Sequence, residues 1–176
     1  RIAEQAASQG DAVRALEALS LAAQHDPACA PARALQLDLL ADSASPAAFP
    51  AQLESLSDLL ETDEAKGRAF LLAAYYWALR ADDVDAAKAA LSQAAMYGVS
   101  PATVSRLSRT FASIRGDETW YDEATRRLIA SGASEGEVAL LWFELVRARL
   151  ARGDADGARK GLAELAAAPG GEWLGL

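Results

Sequence analysis

The sequence predicts an all-α chain, an α-solenoid of about five antiparallel helix pairs, and three observations predict it. A short turn motif recurs as Gly10-Asp11-Ala12-Val13-Arg14-Ala15-Leu16, Asp82-Asp83-Val84-Asp85-Ala86-Ala87-Lys88 and Gly153-Asp154-Ala155-Asp156-Gly157-Ala158-Arg159, with starts 72 and 71 residues apart. Those intervals are twice a period of about 36, which falls in the range of helix-turn-helix repeats. After each turn a small residue, a leucine and a further apolar residue stand at matching offsets: Ala15, Leu19 and Ala22; Ala87, Leu91 and Ala94; Ala158, Leu162 and Leu165. Finally, alanine and leucine dominate while aromatics are only 7%, so good helix formers are abundant and strand formers sparse.

The elements follow in order. A first helix is a fragment ending near Ser8, and Asp11 caps a second through about Gln24, stopped by Asp26-Pro27. A third runs from Pro31, a good first-turn residue, to about Ala41. Asp42-Ser43-Ala44-Ser45-Pro46 reads as a turn, followed by a helix across Ala47 to Glu61 with Leu53, Leu56, Leu59 and Leu60 inward; Pro50 lies in its first turn or marks a later start. Asp63 opens the next helix, to Arg80, with Phe70, Leu71, Ala74, Tyr75 and Ala78 as a buried stripe. Asp83 caps another to Tyr97, closed by Gly98. Ser100-Pro101 starts a helix carrying Leu107, Phe111 and Ile114. Its partner around Ala124, Leu128 and Ile129 is reached through a longer turn, Gly116 to Tyr121, with a register slip of about two residues. Ser134 caps a helix through Arg152 with Leu141, Trp142, Leu145 and Val146 inward, and Gly153-Asp154 turns into a last helix near Gly157 to Ala167.

Composition excludes several classes of function. A formal charge of −8 argues against nonspecific nucleic-acid binding, which rewards clustered Lys and Arg. No apolar run approaches the roughly 18 to 20 residues that span a bilayer, so a soluble chain without a membrane span is expected. Cys29 is alone, which excludes an internal disulfide and a cysteine metal cluster. The chain begins at Arg1 without a charged and apolar leader, which leaves the compartment open.

Candidate chemistry reduces to structural roles. Cys29 and the only histidine, His25, stand four residues apart, but Pro27 between them breaks the helix that would align a nucleophile with a base. The runs beginning at Asp82 and Asp154 resemble calcium loops in their alternating oxygens; the twelfth position from Asp154 is Leu165 rather than a bidentate Glu, and helix capping is the preferred reading. Gly170-Gly171 has neither phosphate-loop nor dinucleotide spacing, so no cofactor and no metal are implied.

The series resembles the tetratricopeptide (TPR) repeat family. Gly10, Ala15, Leu19, Ala22 and Pro27 match the second half of that pattern in the first unit, and Trp142, Gly153, Ala158, Leu162 and Pro169 sample it in the last. The repeats are degenerate: the small residue of the first helix is Tyr75 in one unit and Val146 in another. The resemblance implies a right-handed superhelix over 1–176, one repeat domain, whose first helices line a concave groove and which serves as a non-catalytic protein-interaction scaffold. Both ends read as cut through repeats, as in a piece of a longer repeat protein.

On that frame the groove-lining segments are 31–41, 64–80, 101–115 and 135–152. They hold ten basic against five acidic residues, while the rest of the chain holds seven basic and twenty acidic. A comparatively positive inner face is expected, with Leu72, Tyr76, Ser105, Ser108, Arg109, Phe143 and Arg147 projecting into it as partner-binding residues. Aromatic bodies beside guanidinium groups suit an acidic protein or peptide segment. The carboxylate clamp of cochaperone-type repeats has no counterpart, because the chain contains no asparagine. The alternative is a structural and assembly role, in which repeat ends and Trp173 make end-on or self-association contacts.

Overall fold

A computed structural model of the chain describes residues 1–41, 45–131 and 133–169. The fold is all-α, with ten helices and no strand among the described residues. The helices are α1 (Ile2–Ser8), α2 (Ala12–His25), α3 (Ala30–Ala41), α4 (Ala48–Ser57), α5 (Asp63–Leu79), α6 (Val84–Met96), α7 (Pro101–Arg115), α8 (Glu118–Ala130), α9 (Glu135–Ala151) and α10 (Ala155–Ala167). Contacts divide the chain into two compact units, Arg1–Val99 with α1 to α6 and Ser100–Leu176 with α7 to α10. In each unit every helix packs on the next one along the chain, the local connectivity of stacked helix hairpins. The expected turn at 42–44 and the segment 170–176, with Trp173, lie outside the described residues.

One local device builds four of the turns. A residue at positive φ ends the preceding helix, and the following aspartate caps the next: Gly10 (+77°) before Asp11, Asp82 (+60°) before Asp83, Gly116 (+67°) before Asp117 and Gly153 (+81°) before Asp154. The four aspartates accept N–H bonds from Arg14 at 3.1 Å, Ala86 at 2.9 Å, Trp120 at 2.9 Å and Gly157 at 2.8 Å. Capping is thus the role of Asp83 and Asp154 at the supposed calcium loops. The turn at Gly116-Asp117 is as tight as the others, and the longer loop and register slip expected there do not occur. Four residues after the cap stand Ala15, Ala87 and Ala158, all buried, but Tyr121 in this copy. A large side chain in the small-residue slot hid the match.

Cores of both units are rich in alanine. Ala15 and Leu19 in α2, Phe70, Ala73, Ala74 and Ala78 in α5, and Ala87, Ala90, Leu91 and Ala94 in α6 are buried in the first unit. Small side chains let helix axes approach closely, and a Cβ at Gly67 would lie 2.9 Å from the Val99 methyl and 3.3 Å from the Tyr97 carbonyl. In the second unit Phe111, Trp120, Ala124, Leu128, Leu141, Leu145, Val146 and Leu165 are buried, and a Cβ at Gly161 would meet a Val146 methyl at 2.7 Å.

Several facing assignments change. Leu59, Tyr75, Ile114 and Leu162, expected inward, are exposed. Leu59 lies past the end of α4, and in α7 the buried stripe is Ser105, Ser108, Phe111 and Ala112, which turns Ile114 outward. Asp63 opens α5 as expected, and Thr62 before it is the cap, accepting the Ala65 N–H at 3.2 Å. Pro50 sits buried in the first turn of α4, and Trp120, assigned to a loop, is buried inside α8.

Candidate functional site

The seven residues expected to face a groove fall in different environments and in different units. In the first unit, Leu72 and Tyr76 lie one turn apart on α5. Leu72 is exposed. Tyr76 is half-buried, its ring 4.4 Å from Phe49 of α4 and 5.6 Å, edge on, from the exposed Tyr75. Beside them the Trp77 indole donates to Glu54 at 2.8 Å, which ties α5 to α4. The result is an apolar and aromatic surface backed by a fixed helix pair.

In the second unit, Ser105 and Ser108 differ from the expectation: both are buried in the packed stripe of α7, where small side chains suit close helix contact. Arg109 is committed to its own fold. Its Nε and Nη2 donate to the Tyr121 hydroxyl at 3.1 and 2.8 Å, Nη2 also donates to the Glu144 carboxylate, and the guanidinium lies 5.1 Å from the Tyr121 ring centroid. One side chain of α7 therefore ties α8 to α9. Sequence reasoning missed Tyr121, whose only signal was its bulk in a slot otherwise held by alanine.

Half of the ten cations counted along the first helices are paired with carboxylates: Arg68, Arg106, Arg109, Arg149 and Arg152. Arg106 donates to Glu137 at 2.7 Å, and Arg68 pairs with Glu64. Arg149 and Arg152 turn away to Asp122, at 3.0 and 2.8 Å. Arg147 alone of the named cations of α9 is exposed and makes no ion pair among the described residues. Phe143 stands one turn before it, also exposed. Structure therefore brings Phe143 and Arg147 together on one face of α9, and Leu72 and Tyr76 together on α5.

The Arg106 contact carries a pH signature. The Arg106 hydrogen bond, and next the backbone N–H of Ser134, hold the Glu137 carboxyl below its ordinary value of 4.5. Because the folded pKa is depressed, the stabilisation is complete above the unfolded pKa and is lost as pH falls through the folded one. Glu137→Gln is expected to lower the thermal midpoint slightly at neutral pH, and the gap to the parent protein should close below about pH 4. A gap that persists unchanged at pH 3 in thermal melts would assign the effect to packing instead.

Cys29 and His25 border an open cleft of about 710 Å³ walled mainly by apolar residues of α1, α2 and α3, Leu19, Leu21 and Leu35 among them. No group of three or more His, Cys, Asp or Glu side chains that could hold a metal occurs among the described residues. No described helix is long and apolar enough to cross a membrane.

No family model matches the chain, and no curated protein matches it in sequence. Among solved structures the chain is similar to the crystal structure of MamA, at 17% sequence identity and a TM-score of 0.47, over 94% of this chain and 92% of that one.

Proposed function

We propose that the protein is a non-catalytic interaction scaffold that binds a protein or peptide segment through its first helices. The observation that carries this reading is the apolar and aromatic surface of α5, where the exposed Leu72 and Tyr75 flank Tyr76, whose ring packs on Phe49 of α4. Aromatic bodies on a fixed backbone give contact area at low entropic cost, which is how interface anchors work. On α9, Phe143 and Arg147 present a second exposed patch, an aromatic ring one turn from an open guanidinium. Arg109 supports the scaffold from within, since Tyr121 and Glu144 already occupy its Nε and Nη2 donors. A surface of this kind supplies contact and orientation but no nucleophile or acid–base pair.

The reading predicts that the immobilised protein captures a specific partner from source-cell lysate, and that Leu72→Glu/Tyr76→Ala reduces that capture about tenfold or more, with helical content unchanged. Equal recovery of the same proteins by both forms in quantitative mass spectrometry would refute it. A second reading, assembly, draws on Ile2, Val13 and Leu21, large apolar side chains exposed on α1 and α2. It expects Leu21→Glu to change the oligomeric state and leave partner capture intact.

A further inference from the structure

The solvent face of α9 is the reverse of an ordinary helix surface. Between Gly136 and Ala151 its exposed residues are Gly136, Leu140, Phe143, Arg147, Leu150 and Ala151, with Leu140 at 55%, Phe143 at 41% and Leu150 at 57% exposure. Arg147 is the only polar side chain among them. The neighbouring α8 shows the usual pattern, exposing Glu118, Thr119, Glu123, Arg126 and Arg127. Of the acidic residues of α9, Glu137 pairs with Arg106 and Glu144 with Arg109, so those two carboxylates do not screen the stripe.

Spacing gives the stripe its meaning. Leu140, Phe143, Arg147 and Leu150 follow one another at intervals of three, four and three residues, the a and d positions of two successive heptads. The seam spans about 15 Å of helix. It also reads the same in both directions. If a second α9 is laid antiparallel about a two-fold axis beside position 145, Leu140 meets Leu150 of the second copy, and Phe143 meets Arg147 of the second copy.

We propose that this seam pairs with itself, so that two copies of the chain associate through antiparallel α9 helices. The inference rests on the reading of exposed first-helix faces as protein contacts, and it assigns the α9 part of that surface to a second copy. Complementarity selects this occupant. Each guanidinium lies over the ring of the facing Phe143, a cation–π pair made twice by symmetry, and the leucines close the layers outside it. A polar residue at a single a position fixes register, because any slip buries the charge against leucine. An aliphatic partner would bury Arg147 with neither a ring nor a counter-ion against it, which is costly. An acidic helix would satisfy Arg147, but its matching needs a carboxylate that the self-paired seam does not.

The contact is small, so the dimer is weak, and the acidic body of the chain opposes it. Self-association should therefore strengthen as salt rises from 10 to about 150 mM, whereas binding of an acidic segment to Arg147 would weaken. Sedimentation velocity on the whole chain, from about 10 μM to 1 mM, reads this as a rising weight-average coefficient. Phe143→Arg, and separately Phe143→Glu/Arg147→Glu, place like charges face to face; each alone should lose association about tenfold or more. Mixed one to one, they are complementary at both positions and should recover a dimer. Leu140→Glu mixed with Leu150→Lys provides an independent complementary pair if either charged variant fails to fold.

A parent protein that stays monomeric to 1 mM overturns the proposal, as does a mixture that gains nothing over its components. Recovery in the mixture, with lysate capture by the α5 surface unaffected, supports it. Loss of capture in Leu72→Glu/Tyr76→Ala bears on the scaffold reading alone. An acidic helical peptide that binds the monomer through Arg147 while no dimer forms would give the seam to a different partner and overturn the proposal.

Discussion

Asp122→Ala should cost about 3 to 5 kcal/mol of stability, the largest effect expected from any polar substitution in the second unit. The Asp122 Oδ2 accepts from Arg149 Nε at 3.0 Å and from Arg152 Nη2 at 2.8 Å. Arg149 keeps only 5% of its side chain exposed, and its Nη1 donates to the Gly157 carbonyl at 2.9 Å. That one guanidinium therefore fastens α9 to α8 and to α10. Removing the carboxylate leaves a positive charge buried without its counter-ion, and the cost is mainly that of the stranded charge rather than of the bond lost. It follows that Asp122→Ala/Arg149→Met, which removes both charges and keeps the volume of the longer chain, should be far less destabilising than the sum of the single changes. Urea denaturation followed by circular dichroism measures all three. A cost below about 1 kcal/mol for Asp122→Ala would mean that water reaches Arg149 and that the pair is a surface bridge.

The second large effect contrasts two residues of α9 two positions apart. Leu145 is 0% exposed, and Leu145→Ala should cost about 2 to 5 kcal/mol through lost transfer energy and the cavity left between packed helices. Phe143→Ala removes a larger side chain from a surface position and should change stability by less than about 0.5 kcal/mol at low micromolar concentration. Equal losses from the two changes, measured in the same urea titrations, would mean that Phe143 is covered within the monomer. That result would also remove the seam proposed for self-pairing. At hundreds of micromolar the Phe143 variant should instead fall behind the parent, because self-association adds to apparent stability by mass action.

Helix positions, the tight turns and their caps were legible in the chain because they are decided within a few residues. A residue at positive φ followed by aspartate ends one helix and starts the next by local sterics and one hydrogen bond. The turn at Gly116 follows that rule too, although Tyr121 stands where the other copies have alanine. The inward faces of α2 and α6 were read correctly at Ala15, Leu19, Ala87, Leu91 and Ala94, where apolar and polar sides alternate at the helical period. On α5 and α9 the same reasoning had less to use. Both are apolar around most of their circumference, so periodicity did not distinguish Tyr75, which is exposed, from Phe70, which is buried.

Sequence by itself determined an all-α chain of capped helices with alanine-lined contacts, because propensity, capping and turn sterics act over short range. Tertiary structure alone decided which charges remain open to a partner. Arg109 finds Glu144 35 residues away, Arg106 finds Glu137 across 31, and Arg149 finds Asp122 across 27. A count of charges along first helices cannot see such pairings, since an ion pair depends on which helices become neighbours and at what rotation. The same rotation turns Leu140, Phe143, Arg147 and Leu150 outward, and so an apolar seam with one cation at its centre becomes a surface.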